Sequence, residues 1–383
     1  MAPLILYNSE LNFRSSGNHN PGSAIGESLF KRYASRMNII RFCAMLSIVW
    51  GHSLYGWEKG VFSDAQFRLM QPLMLEAGRL GTICFFIISG FFVHDKVLDG
   101  SIAVYLKNTF HKQLLPWLAC LSLFVSIETF HQPYHGVSDT MKLICTLYKA
   151  YVFHAAFWFI PVSIISSLIL LLLRRWVFKM HFGGILLLVS LFYAVNLYFG
   201  WISANHTKAF AGYIFYMWLG LQLRSRLVTF HNYISRLSDR TVLILLVSAF
   251  LLACLEGRLL TSVGSEDPYA SLRVTNGFAS VIFFTALLKS SHFRFISHLN
   301  PRKYIYGVYL IHCIIITEMM PLMSGVASAT HVSSHLALYI VLQVLFFSLA
   351  MAISYVSVCL FYHFKVVFRG TEVCSEKMIL ATN

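Results

Sequence analysis

The stretch that decides the fold covers residues 38–55 and reads NIIRFCAMLSIVWGHSLY. Its length and apolar character suit a helix of about 20 residues that crosses a bilayer. It nevertheless carries two ionisable side chains, Arg41 and His52. Because ionisable residues inside a membrane span are costly and tend to mark function, this stretch predicts a transmembrane helix that contributes to a functional site.

The composition of the whole chain indicates the same environment. Of its 383 residues, 57% are hydrophobic and 12% are charged, and the mean hydropathy is +0.66. Soluble domains carry about 25% charged residues, and disordered chains need low hydrophobicity. Both classes are excluded, and a polytopic membrane protein remains.

Apolar segments of span length continue along the chain. We predict an all-α, polytopic integral membrane protein with about ten transmembrane helices. The membrane domain would occupy residues 38–362, between an N-terminal tail of residues 1–37 and a C-terminal tail of residues 363–383. The predicted spans cover residues 38–55, 79–98, 113–131, 155–174, 182–201, 207–223, 241–257, 272–289, 304–323 and 336–362.

The basic residues predict the orientation of these spans. The formal net charge is +14, and alternating the loops between two sides places 22 of the 30 Lys and Arg residues on the side that holds both termini. Since Lys and Arg accumulate in cytoplasmic loops, both termini are predicted to be cytoplasmic. The positive charge then reports topology, and no nucleic-acid partner is expected. The polar N-terminal segment lacks an apolar signal core, so the first span is expected to serve as start signal and anchor.

The eight cysteines show no Cys-x-x-Cys spacing. Neither a disulfide framework nor a metal site is indicated. Most of these cysteines lie in apolar runs, where a thiol behaves as a small hydrophobic group. We therefore expect no metal and no bound cofactor.

Arg41 and His52 are predicted to lie on one face of the first span. Eleven residues turn an α-helix by about 1100° and advance it by about 16 Å. Arg41 would lie near the cytoplasmic edge and His52 towards the outer edge. Arg41 could instead extend its charge to the interface as one more topology residue, and His52 could be a hydrogen-bonded core histidine.

The second span opens on Arg79 and continues into Phe85-Phe86-Ile87-Ile88-Ser89-Gly90. Since the chain re-enters the membrane from outside, Arg79 is expected at a depth similar to that of His52. The small pair Ser89-Gly90 would let a ligand or a neighbouring helix approach the backbone.

Other polar residues in the spans carry weaker signals. Three glutamates near outer span ends are expected to be solvated at the interface, and His312 is expected to hydrogen-bond a neighbouring helix. The glutamates are Glu128, Glu256 and Glu318.

The ordered set of short motifs resembles the membrane-bound acyltransferase 3 family, whose members include O-acyltransferases of O-antigen and of other surface polysaccharides. The set comprises Arg-x10-His in the first span, the entry at Arg79 into Phe-Phe-x-x-Ser-Gly-Phe, Phe157-Trp158-Phe159-Ile160, and Tyr306-Gly307-Val308-Tyr309-Leu310-Ile311-His312. The resemblance covers about residues 38–362. This chain has a single arginine at the second-span entry where many members have two, which leaves the role of the second position open.

The resemblance implies transfer of an acyl group, acetyl above all, from cytosolic acyl-CoA to a saccharide hydroxyl at the outer face. The implied location is the bacterial inner (plasma) membrane, with the acyl-CoA as donor substrate and the saccharide as acceptor. His52 could act as general base or become acylated itself, and the base role needs fewer steps. Arg79 could orient the acceptor or stabilise an oxyanion, and Arg41 could bind the donor's phosphates, with Ser89 as a second donor-binding residue. Possible substrate contacts are Trp57, Trp158, Asn276 and Tyr309.

Two other functions are compatible with the same residues. A transporter or flippase of a glycan or small solute could use the intramembrane charges as a path, although no internal repeat of the transporter kind is visible. A non-catalytic scaffold or sensor would leave the pairing of Arg41 and His52 on one face unexplained.

Overall fold

A computed structural model describes residues 21–54, 65–133, 136–153, 156–290, 293–329 and 335–381, and these residues are helical with short connections. No strand occurs within those ranges, as the hydropathy pattern predicts. The helices are α1 (Pro21–Ser53), α2 (Ala65–Ala77), α3 (Leu80–Asp99), α4 (Ile102–Thr109), α5 (Leu115–Phe130), α6 (Val137–Phe153), α7 (Phe159–Leu172), α8 (Met180–Phe199), α9 (Phe210–Ser225), α10 (Leu227–Arg236), α11 (Asp239–Ser262), α12 (Val274–Lys289), α13 (Pro301–Ala329) and α14 (Leu336–Ala381).

Every predicted span falls on a helix over most of its length. Within the described ranges, six helical stretches are long and apolar enough to cross a membrane, and α7 and α12 are shorter apolar helices. The total of ten and the side of the termini therefore stay predictions. The six stretches are Met70–Leu98, Ile102–Phe130, Met180–Phe199, Asp239–Ser262, Pro301–Ser328 and Leu336–His363.

Two helices extend more than fifteen residues beyond one end of their predicted spans. Helix α1 begins at Pro21 and α14 continues to Ala381, whereas hydropathy alone bounded these spans at residues 38 and 362. A helix can extend beyond the hydrocarbon layer because its backbone hydrogen bonds are internal, so its polar ends need no apolar solvent.

The short turn between α2 and α3 is fastened to α1. The Ser47 hydroxyl donates a hydrogen bond to the Ala77 carbonyl at 2.5 Å, and the Trp50 indole donates to the Met74 carbonyl at 2.9 Å. A Cβ on Gly78 would lie 2.4 Å from the Cα of Gly51. Because no side chain fits there, the two backbones meet directly, and this contact fixes the start of α3 beside the end of α1.

Helix α3 lies at the centre of the bundle. Two thirds of the most apolar window of Met70–Leu98 is buried, against about a third or less in the other five stretches. It packs on α9 through a reciprocal glycine contact, where a Cβ on Gly90 would meet the Met217 carbonyl oxygen at 1.7 Å and one on Gly220 the Ile87 carbonyl oxygen at 1.9 Å. Small residues permit this close approach of helices.

The outer helices expose many large apolar side chains, which would be an unfavourable surface in water. Leu188 on α8, Leu255 on α11 and Phe361 on α14 are 67%, 60% and 65% exposed. Large exposed apolar surface marks an interaction site or a membrane, and the apolar composition of these helices indicates the membrane.

Candidate active site

His52 lies in the last turn of α1 and its side chain is exposed. The end of this helix is held by α14, where the Gln343 amide donates to the Ser53 carbonyl and contacts the Ser53 hydroxyl, both at 3.1 Å. The His52 ring centroid is 5.4 Å from that of His312 on α13. The backbone at His52 is thus fixed by its neighbours, while the exposed imidazole of His52 is accessible to a substrate.

His312 is fully buried, and among the described residues its ring nitrogens contact groups of its own helix, not the neighbouring-helix partner expected of it. Its Nδ1 lies 2.7 Å from the Tyr309 carbonyl of the same helix, so Nδ1 carries the hydrogen and Nε2 keeps a lone pair. That Nε2 faces the Cys313 sulfur at 3.2 Å. The expectation was wrong because a carbonyl one helical turn back is within reach of the ring.

Arg79 precedes α3 and lies within electrostatic range of both His52 and His206. Its backbone amide donates to the Glu76 carbonyl at 2.9 Å. Within the part of the chain that the structure describes, its guanidinium has no hydrogen-bond or ion-pair partner. The structure therefore brings together the predicted pair His52 and Arg79, as the depth argument requires.

A wall of stacked rings lies next to this pair. Trp158 stacks on His206 with centroids 4.5 Å apart and planes at 15°, and it meets Tyr213 at 5.1 Å. Tyr213 in turn stacks on Phe86 at 4.8 Å. The rings of Phe86, Trp158 and Tyr213 come from α3, from the residue before α7 and from α9. They line the side of the site where Arg79 lies.

His206 was missed by the sequence reasoning. It lies in the connection between α8 and α9, where no hydrophobic period or motif distinguishes it. Its Nδ1 is 3.1 Å from the Tyr213 hydroxyl, and its Nε2 is 4.0 Å from the Asp267 carboxylate. Burial lowers the pKa of His206 to about 4, while the carboxylate of Asp267 acts in the opposite direction, so this imidazole is neutral at physiological pH.

Arg41 lies three helical turns from His52. Its guanidinium donates to the Asn38 amide oxygen at 3.0 Å and lies 5.4 Å from the centre of the Phe92 ring. The positive charge of Arg302, at the start of α13, acts on it unfavourably. Helices α1 and α13 thus each carry an arginine followed, eleven and ten residues further on, by a histidine. Arg302 was counted only as a topology residue from the sequence.

The remaining predicted residues occupy mixed environments. The Ser89 hydroxyl donates to the Phe85 carbonyl at 2.8 Å, and at neighbouring Gly90 the approaching group is helix α9. Asn276 is fully buried and donates to the Ser271 carbonyl at 2.7 Å. Tyr309 packs its ring 5.8 Å from Phe159. Trp57 lies outside the described residues.

Glu256 differs from the expected interfacial carboxylate. It is 8% exposed, and it accepts hydrogen bonds from the Tyr198 hydroxyl at 3.1 Å, from the Thr275 amide at 3.0 Å and from the Thr275 hydroxyl. Nearby, Arg273 and Glu76 form a fully buried ion pair. These polar groups bind α11 and α12 to the bundle and are structural.

The fold and the site define an all-helical, multi-pass membrane protein with an open histidine beside an arginine. A family model described as an acyltransferase domain, that of the acyltransferase 3 family, matches residues 35–361. The chain belongs to this family and is a membrane acyltransferase. No curated protein and no solved structure matches the chain.

Proposed function

We propose that the protein moves an acyl group, acetyl in the first instance, from cytosolic acyl-CoA to a hydroxyl of a cell-surface or lipid-linked saccharide at the outer face. The observation that carries the proposal is the position of His52, exposed at the end of α1 within range of the Arg79 charge and in line with Arg41. It matches what transfer across a membrane requires: an anion site at one end and a base at the other.

In the proposed reaction His52 is a general base. Its neutral imidazole takes the proton of the acceptor hydroxyl as that oxygen attacks the thioester carbonyl. A new C–O bond forms, the C–S bond breaks, and the CoA thiolate leaves and takes up the proton held by the imidazole. The products are the acylated saccharide and CoA, with no change in total charge.

Arg79 is assigned to the developing oxyanion or to the acceptor. Fixed positive charge near the reacting carbonyl stabilises the tetrahedral intermediate more than the ground state. Among the described residues, no side chain hydrogen-bonds the guanidinium, and we assign its donors to substrate. A neutral His206 beside it adds a hydrogen-bonding group without further positive charge.

The donor is assigned to the opposite end of the same helix face. Arg41 and Arg302 repel each other, and a phosphate group between two guanidiniums relieves such repulsion through charge-assisted hydrogen bonds. The pantetheine arm would then extend along α1 towards His52, a rise of about 16 Å, passing Ser89 on the neighbouring helix.

The acceptor is assigned to the ring wall. Trp and Tyr offer a large apolar area and a negatively polarised ring face. Such a face can pack against the apolar C–H face of a sugar ring. Phe86 and Trp158 both belong to the wall and to the family-like motifs, and Trp158 is the more exposed of the two, at 8% against 0%. Trp57, Asn276 and Tyr309 remain proposed substrate contacts.

The test is label transfer in membranes that contain the intact protein. Supplying acetyl-CoA labelled in the acetyl group and isolating envelope glycan should give label in the glycan, and base treatment should release it as acetate. Transport of a glycan or solute without any transfer of label would favour the transporter function. Mass spectrometry of envelope glycans with and without the protein would identify the acceptor.

A further inference from the structure

Three potential metal ligands converge beside the proposed base. One ring nitrogen each of His52 and His312 and the sulfur of Cys313 all lie within 4.8 Å of one another. His52 comes from the last turn of α1 and the other two from the middle of α13. The cysteine spacing of the sequence gave no indication of this cluster, because the ligands meet only when the two helices pack.

The ring of His312 is oriented by the kind of hydrogen bond that orients metal-binding histidines. Its Nδ1 donates to the Tyr309 carbonyl at 2.7 Å, which fixes the tautomer and directs the Nε2 lone pair towards the Cys313 sulfur at 3.2 Å. In metal sites, the ring nitrogen that does not bind the ion usually donates such a hydrogen bond, which orients the ring and raises the basicity of the ligating nitrogen.

We propose that His52, His312 and Cys313 form a binding site for a soft divalent cation, with Zn²⁺ as the ion that fits the ligand set. Zn–N and Zn–S bonds of about 2.0–2.3 Å place ligand atoms of a tetrahedral site about 3.3–3.6 Å apart. The pair on α13 is already near this spacing, and the exposed His52 ring can close the remainder by rotation about its side-chain bonds.

Ligation changes the charge balance of the site. The Cys313 thiol loses its proton to solvent and binds as thiolate, and both histidines bind as neutral rings. One of the two positive charges of the ion is thereby cancelled, which offsets its repulsion by Arg79. Three protein ligands leave a fourth position for water or an anion.

The consequence for activity rests on the proposed function. A bound ion occupies a lone pair of the His52 ring, and a ligated imidazole cannot take a proton from a hydroxyl. Binding of Zn²⁺ would therefore block acyl transfer reversibly, and a chelator would restore it.

Binding can be measured without any assay of acyl transfer. The full-length protein in detergent is titrated with Co²⁺, whose thiolate complexes show a charge-transfer band in the near ultraviolet. We expect the band in the wild-type protein and in a Cys145→Ser control, which removes an exposed thiol. Cys313→Ser should abolish the band, and Cys313→Ser and His52→Ala should each weaken Co²⁺ binding by at least about 10–100-fold.

The outcomes separate the metal site from the proposed function. A wild-type protein without the band, or a Cys313→Ser protein that keeps it, would overturn the metal site whatever the activity. In Cys313→Ser, the sensitivity of transfer to Zn²⁺ should fall by the same factor as the affinity. Cys313→Ala, compared by thermal melting, serves if the serine variant fails to fold. Absence of transfer in every protein would overturn the proposed function while the Co²⁺ spectrum still decides the site.

Discussion

At the scale of single residues, the site consists of imidazole rings, aromatic rings and guanidinium groups. Some of them can be recognised in the sequence and others only in the folded structure. His52 and Arg79 follow from the sequence, because each is an ionisable residue within a predicted apolar span. His206, Arg302 and Cys313 do not, since nothing in their local sequence distinguishes them from a loop histidine, a topology arginine and an apolar-run cysteine. Only the packing of α1, α9 and α13 brings them to the site.

The two arginines at the donor end should act on the donor alone. We predict that Arg41→Gln and Arg302→Gln each raise the KM for acyl-CoA by about 10–100-fold, because each loses a charge-assisted hydrogen bond of about 1.5–3 kcal/mol to phosphate. The KM for the acceptor should stay unchanged. Arg175→Gln, an exposed arginine between α7 and α8, is the matched control. Steady-state kinetics with both substrates varied would contradict the assignment if acceptor KM changed instead.

His206 should make stability depend on pH. Its pKa is about 4 in the folded protein and about 6.5 when unfolded, so between these values the unfolded chain binds more protons. Stability is therefore lost as pH falls from 6.5 towards 4. We predict that the melting temperature of His206→Gln falls less over this range than that of the wild type. His298→Gln, an exposed histidine, should behave as the wild type, and an equal fall in all three would contradict the burial of His206.

At the scale of helices, apolar runs locate the elements and backbone contacts fix their arrangement. All ten predicted spans coincide with helices, because the need for about 20 apolar residues is local. The fully buried pair Glu76–Arg273 and the bonded Glu256 could not be foreseen, since their partners lie on separate elements. A carboxylate near a span end looks the same in sequence whether water or another helix satisfies it.

The contact between α3 and α9 should tolerate no methyl group. In Gly220→Ala the added Cβ meets the Ile87 carbonyl oxygen, so the helices must separate, and we predict a loss of about 1–3 kcal/mol of stability. Gly184→Ala on α8 is the matched control, because a Cβ there meets nothing within 4 Å. Thermal melting in detergent decides, and equal melting temperatures for the two variants would contradict the packing.

At the scale of the whole molecule, the family fixes the class of reaction and the charge bias predicts the orientation. The predicted topology places Cys145 of α6 outside and Cys374, whose side chain is outside the described part of the structure, in the cytoplasmic tail. A membrane-impermeant maleimide should therefore label Cys145 in intact cells and label Cys374 only after permeabilisation. Single-cysteine proteins, compared by mass shift, test this. The reverse pattern would overturn the orientation and with it the side assigned to acyl-CoA.

The central claim is that His52 is the base for acyl transfer across the membrane. The most direct measurement is the rate of label transfer from acetyl-CoA to glycan by His52→Ala, with His298→Gln as control, at matched protein levels and melting temperatures. Loss of a positioned general base should slow transfer by about 10²–10⁴-fold, with the control at wild-type rate. Full transfer by His52→Ala would contradict the account.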